Sequence, residues 1–321
     1  MWNQVSGAIE SIGDDDDGRL LTFIRHYWVT GHGPTKEREL ATEIRKELKG
    51  ETKTIQFLDQ ASQSVHDYVA LFSRSHPKWT AYKNTTKEHL HTITEVLQVE
   101  QIRPLMFAVA RHFSPAEADK AFKLFVSWSV RFLIFGGRGG MLDQQYSLRA
   151  QEVGTRQITK ATELRENMRR YVPTDGEFEE AFASARVSRA HLARYYLRAL
   201  DKTLKGDPNP EFLANEDEVT INLEHVMPVN RGEHWGKEAD ERFGTEKLLG
   251  NMVLVRASKN KDIGNKPFEE KREAYENSSY AITQQVAAYE KWSIDQIRER
   301  QRDMARLAVE TWPLRRTQNG D

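Results

Sequence analysis

Apolar residues recur at intervals of three and four from Leu20 to about Leu204, in sets such as Leu21, Ile24, Tyr27 and Trp28, or Ile55, Leu58, Val65, Tyr68, Leu71 and Phe72. That period places them on one face of successive helices. Further segments of the same kind run through 89–99, 102–113 and 116–135. Breaks fall at Gly31-His32-Gly33-Pro34, His76-Pro77, Ser114-Pro115 and Gly136-Gly137-Arg138-Gly139-Gly140, where glycine and proline interrupt the pattern. The pattern predicts a helical array without internal repeats. The glycine-rich segment has neither a preceding strand nor the Gly-Lys-Ser/Thr ending of a phosphate-cradling loop, so it reads as a tight helix connection, with Arg138 as a candidate phosphate contact.

Gly206-Asp207-Pro208-Asn209-Pro210 is a turn cluster, and it divides the expected domains into 1–206 and 207–321. Beyond it, 219–226 and 252–255 read as short strands. Helix resumes after Pro267 through Tyr289, Trp292, Ile294, Ile297 and Leu307, and ends near Trp312-Pro313. The expected class is therefore mainly α, a helical N-terminal array followed by a small ββα domain flanked by helices.

Composition narrows the chemistry. The 321 residues carry a net charge of −1, so any nucleic-acid affinity must come from a local patch. The chain has no cysteine, which excludes disulfides, thiolate metal sites and cysteine nucleophiles. No apolar run reaches the roughly 20 residues of a membrane helix, and residues 1–18 end in Asp14 to Asp17 rather than in a signal-peptide pattern. A cytoplasmic protein without membrane partners is expected.

The chemistry concentrates in 224–271. Glu224 and His225 stand at the end of a strand that Pro228 terminates. Asn251 follows Leu249-Gly250, and Asn260 and Asn265 lie beyond the second strand. A phosphodiester is anionic, so its hydrolysis is served by a divalent cation and a neutral base. His225 is the expected base, provided an acceptor such as a backbone carbonyl near Asn251 holds its other ring nitrogen. Glu224 is assigned to the metal with Asn260 as the preferred amide ligand. Asn265, also placed to cap the next helix, is the alternate. Asn251 is expected to bridge the ends of the loop and orient His225. Carboxylate and amide oxygens favour Mg²⁺, with Mn²⁺ also suitable, and a single histidine disfavours zinc.

Upstream, Arg194, Arg198 and Lys202 align at spacing four, with Leu192, Tyr196, Leu200 and Leu204 on the other side. This stripe is the expected path of double-stranded DNA, with Lys266 and Lys271 as further contacts.

Glu224-His225-Val226-Met227-Pro228, Leu249-Gly250-Asn251-Met252-Val253-Leu254, Asn260, and the trailing Asn265, Phe268 and Lys271 resemble the C-terminal HNH nuclease region of the GmrSD-type, modification-dependent restriction endonucleases. The nuclease region of the SspE anti-phage effector is similar. Weaker resemblance extends to Phe23-Ile24-Arg25-His26-Tyr27-Trp28, Arg131-Phe132-Leu133-Ile134, Trp292, Arg300 and Trp312-Pro313. The resemblance implies a metal-dependent HNH endonuclease that nicks or cuts foreign or modified DNA. Full-length members carry a nucleotide-binding domain with an Asp-Gly-Gln-Gln-Arg motif, which is not found in this chain. The resemblance thus implies either a C-terminal fragment or a separate NTPase polypeptide, and no nucleotide hydrolysis here. Two rivals predict no cleavage: a DNA-binding module with a decayed site, and a helical scaffold for a partner NTPase.

Overall fold

In the computed structural model the described residues are 1–12, 16–137, 139–211, 221–228, 235, 245–256 and 264–314. Arg138 and Asn260 lie outside them. The chain forms two compact units, one of residues 1–129 with 136–172, the other of 130–135 with 173–321.

The first unit is helical: α1 (Trp2–Glu10), α2 (Asp16–His32), α3 (Glu37–Glu47), α4 (Glu51–Val69), α5 (Asn84–His91), α6 (Arg103–His112), most of α7 (Pro115–Phe135), α8 (Gly139–Gly154) and α9 (Ala161–Met168). The boundaries follow the sequence signals. Pro115 opens α7, as suits a residue whose missing N–H is unneeded in the first turn. Gly136 and Gly137 both sit at φ 72° between α7 and α8, a backbone conformation that side chains disfavour, which makes this segment a tight connection. Helix α8 packs against α2 so closely at Gly154 that a Cβ there would run into the carbonyl oxygen of Thr30. Phe23, Tyr68 and Phe107 form an aromatic centre with ring centroids 5.2 to 6.2 Å apart. Beside it His26 is 3 % exposed, and its Nδ1 is 3.0 Å from the Tyr68 hydroxyl. Burial, reinforced by Arg25 and Arg103, lowers the His26 pKa to about 3, so the ring is neutral at physiological pH.

The second unit holds α10 (Asp175–Ser184), α11 (Ala190–Leu204), β1 (Ile221–His225), β2 (Met252–Arg256), α12 (Phe268–Glu276), α13 (Ala281–Ala287) and α14 (Ile294–Thr311). Its beginning is fixed by Arg131, whose guanidinium donates to the carbonyls of Trp312 and Pro173 at 3.0 Å and to Asp175 Oδ1 at 2.6 Å. Thr174 and Glu177 cap α10 reciprocally. The Trp312 ring packs among Phe178, Phe182, Tyr195 and Tyr196.

Strands β1 and β2 pair antiparallel, with Glu224 opposite Val253 and His225 opposite Met252. Two strands alone are marginal in water, and here α11 and α13 pack against them. The outer edge of β2 is closed by Thr283, whose hydroxyl accepts from Leu254 N at 3.1 Å and donates to Leu254 O at 2.9 Å. The mainly helical class expected from the pattern is the class observed, and the strand–strand–helix order of β1, β2 and α12 places the candidate chemistry at the end of β1.

Candidate functional site

The site is built on the end of β1 and the turn that leads into β2. Leu249, Gly250 and Asn251 form a buried 3-10 turn. Asn251 binds the peptide of Met227 twice, accepting from Met227 N at Oδ1 (2.9 Å) and donating from Nδ2 to Met227 O (3.0 Å). Trp292 Nε1 donates to the same Oδ1 at 3.2 Å, and Val226 N donates to Asn251 O at 2.9 Å. Asn251 therefore joins the two ends of the loop, as the sequence suggests, and its buried amide faces protein partners.

Two residues of α14 hold this turn from behind. Arg300, fully buried, donates to the carbonyls of Leu249, Gly250 and Met252 through Nη1 and to Ile282 O through Nη2. Burial lowers its pKa to about 10, so it remains charged at neutral pH. Gln301 accepts from Gly250 N at 2.5 Å and donates to Phe182 O at 2.7 Å. Gly250 is required here because a Cβ would run into the Ile297 carbonyl oxygen. The 297–301 turn of α14 thus shapes the site, which the sequence pattern alone did not reveal. The signal was present: Arg300 lies three residues after Ile297 and four before Met304, on the buried stripe of the helix.

His225 is half-buried, and its Nε2 lies 2.8 Å from the carbonyl oxygen of Glu246. A carbonyl only accepts, so the proton of a neutral ring resides on Nε2 and Nδ1 keeps its lone pair. The Glu246 turn is anchored by Val187 N, which donates to Lys247 O at 2.8 Å. The expected backbone acceptor for His225 is therefore present, on residues 245–247 ahead of Asn251.

Glu224 is half-buried. Its Oε1 accepts from Lys271 Nζ at 3.3 Å, and among the described residues no partner meets Oε2. No group of three His, Cys, Asp or Glu side chains suited to a metal occurs among the described residues. A cation on Glu224 would draw its further oxygens from amides, water or phosphate. Asn265 is exposed in the turn before α12. It does not cap that helix, whose N-cap is Pro267 with no side-chain bond; the proline fixes the entry, and Asn265 stands two residues too early.

The candidate DNA contacts fare unequally. Lys266 is exposed, 3.8 Å from Glu270. Lys271 is fully buried, with its ammonium on Glu224 Oε1, His225 O and Val226 O, so it is not a surface cation available to DNA. Burial pushes its pKa below the usual lysine range against the opposing pull of Glu224. On α11, Arg194, Arg198 and Lys202 are half-buried rather than fully turned to solvent. Lys202 is engaged by Asn209 O at 3.1 Å and Asp207 at 3.3 Å. The helix is buried over a wider arc than Leu192, Tyr196 and Leu200 suggest, because Ala193, Tyr195, Leu197 and Ala199 also pack inward, whereas Leu204 at its end is exposed rather than part of the buried face.

Among the described residues no helix is long and apolar enough to cross a membrane. No curated protein matches the chain. Residues 172–307, which begin with the last residue before the second unit's main span and reach into α14, match the family model described as GmrSD restriction endonucleases, C-terminal domain. The matched span contains the motifs of 224–271 and is similar to the GmrSD-type C-terminal region that those motifs resemble.

Proposed function

We propose that the second unit is a metal-dependent HNH endonuclease that nicks or cuts double-stranded DNA, in defence against foreign or modified DNA. The observation that carries this reading is the state of His225 beside Glu224: one ring nitrogen is committed to the Glu246 carbonyl, leaving Nδ1 to accept a proton. The match of 172–307 to a restriction-endonuclease domain supports it.

In this reading Nδ1 of His225 takes the proton of the attacking water, while the Glu246 carbonyl steadies the imidazolium through Nε2–H. Asn251 holds the 226–227 peptide and so limits movement of the histidine backbone. Glu224 and either Asn260 or Asn265 would hold Mg²⁺ or Mn²⁺, and the residues fit such an ion in offering hard oxygen donors without thiolates. When bound, the ion would neutralise the charge that builds up on the phosphate. Arg194, Arg198, Lys202 and Lys266 are proposed DNA contacts. A nucleotide-binding sensor, linked or separate, is the proposed partner.

Incubating the chain with supercoiled plasmid in Mg²⁺, Mn²⁺ or EDTA tests the reading. Divalent-dependent conversion to open-circular or linear DNA is expected. Binding without cleavage in any metal would favour the non-catalytic DNA-binding module.

A further inference from the structure

Lys271 is fully buried on α12, and its ammonium faces three acceptors from the end of β1: Glu224 Oε1 at 3.3 Å, His225 O at 3.0 Å and Val226 O at 3.1 Å. An ammonium has three protons, and these acceptors account for all of them. The Trp235 ring lies 5.9 Å from Nζ. A phosphate contact needs a cation at the surface, whereas this one is enclosed.

The acceptors share a geometric logic. Two are successive backbone carbonyls, of His225 and of the residue after it, and the third is the carboxylate of the residue before it. Asn251 grips the next peptide at Met227. The backbone from 225 to 227 is thus held by Lys271 and Asn251 together, while Glu224 is drawn toward Lys271 through one oxygen. A lysine suits this task because its compact charge carries three radiating donors, whereas the flat guanidinium fork of arginine does not match acceptors so arranged.

We propose that Lys271 is a positioning residue of the Glu224–His225 site. Its ammonium pins the Glu224 carboxylate by Oε1 so that Oε2 is presented to a divalent cation before that cation arrives, and it makes no contact with DNA. This rests on the nuclease reading above. Removing a neighbouring positive charge would by itself tighten cation binding. Weaker binding on loss of Lys271 would therefore report orientation rather than charge.

The experiment measures Mn²⁺ binding to the full chain without DNA, by the free-Mn²⁺ electron paramagnetic resonance signal, for wild type, Lys271→Met, Glu224→Gln and the double variant. Lys271→Met should weaken binding about tenfold, as for other residues that orient a metal ligand. The double variant should bind no more weakly than Glu224→Gln alone, because Lys271 acts through Glu224. In parallel, DNA binding in EDTA across a salt series should give the same slope for wild type and Lys271→Met. A slope smaller by about 0.9 with Mn²⁺ binding unchanged would make Lys271 a phosphate contact and overturn the proposal. Unchanged or tighter Mn²⁺ binding in folded Lys271→Met would reduce the residue to a structural one and overturn it equally. If Lys271→Met does not fold, Lys271→Gln, which keeps two donors without the charge, takes its place with the same expectations. Wild type that neither binds Mn²⁺ nor cleaves DNA would show that the nuclease reading itself has failed, and the positioning role with it.

Discussion

Asn251 and Met227 are joined as closely as neighbours on paired strands, the amide side chain of one closing both polar groups of the other's backbone at 2.9 and 3.0 Å. Both sets of atoms are buried, so loss of the side chain leaves a peptide N–H and C=O unpaired, and the Trp292 indole N–H as well. Each such group costs about 1–3 kcal/mol. Asn251→Ala is expected to lower stability by roughly 3 kcal/mol or more on that basis. In the folded fraction it should lower turnover on the order of a hundredfold, because a displaced base loses alignment. Mn²⁺ affinity should change little. Urea titration, single-turnover cleavage and Mn²⁺ binding separate these effects, and a large loss of metal affinity would make Asn251 a ligand instead.

Thr283 closes the edge of β2 by receiving and giving a hydrogen bond at Leu254. Thr283→Val keeps the shape and removes both bonds. The substitution should destabilise the second unit by about 2 kcal/mol, more than a surface threonine would. Chemical denaturation followed by tryptophan fluorescence checks this. A neutral result would mean that Leu254 finds other partners.

His26 gives the first unit a pH dependence with a definite sign. Its pKa falls from the ordinary 6.5 to about 3 on folding, so the unfolded chain binds the proton more readily. The stability associated with the neutral ring is complete above pH 6.5 and is lost as pH falls toward 3, at up to about 1.4 kcal/mol per pH unit. His26→Gln retains an acceptor for the Tyr68 hydroxyl and does not titrate. Urea midpoints measured from pH 7.5 to 4.5 should fall less steeply in the variant, and parallel curves would remove His26 as the cause.

The proposed metal ligands are separable by titration. Glu224→Ala should raise the Mg²⁺ concentration for half-maximal cleavage, and so should one of Asn260→Ala and Asn265→Ala. Asn260 is favoured, and Asn265→Ala is expected to behave like wild type. The opposite pattern would move the ligand to the turn before α12.

Much of this architecture was legible because period and punctuation agree. Ser114-Pro115 and Gly136-Gly137 break helices where the chain does, and the short runs around 223 and 254 form the paired strands. The bridging place of Asn251 follows from its position between a turn and a strand. Lys271 was harder to place, since Glu269, Glu270, Arg272 and Glu273 around it suggest a solvated helix. The signal lay in spacing: Phe268, Lys271 and Tyr275 fall at i, i+3 and i+7, and all three are buried. The partner of His225 had no such signal, because a main-chain carbonyl such as that of Glu246 leaves no mark on residue identity.

The proposed role of His225 as the base is decided by single-turnover cleavage of plasmid DNA at saturating Mn²⁺, comparing wild type with His225→Ala at matched DNA occupancy. The expected result is a rate lower by about 10² to 10⁴, with thermal midpoint, Mn²⁺ binding and DNA binding close to wild type. Cleavage at the wild-type rate by folded His225→Ala would contradict the account.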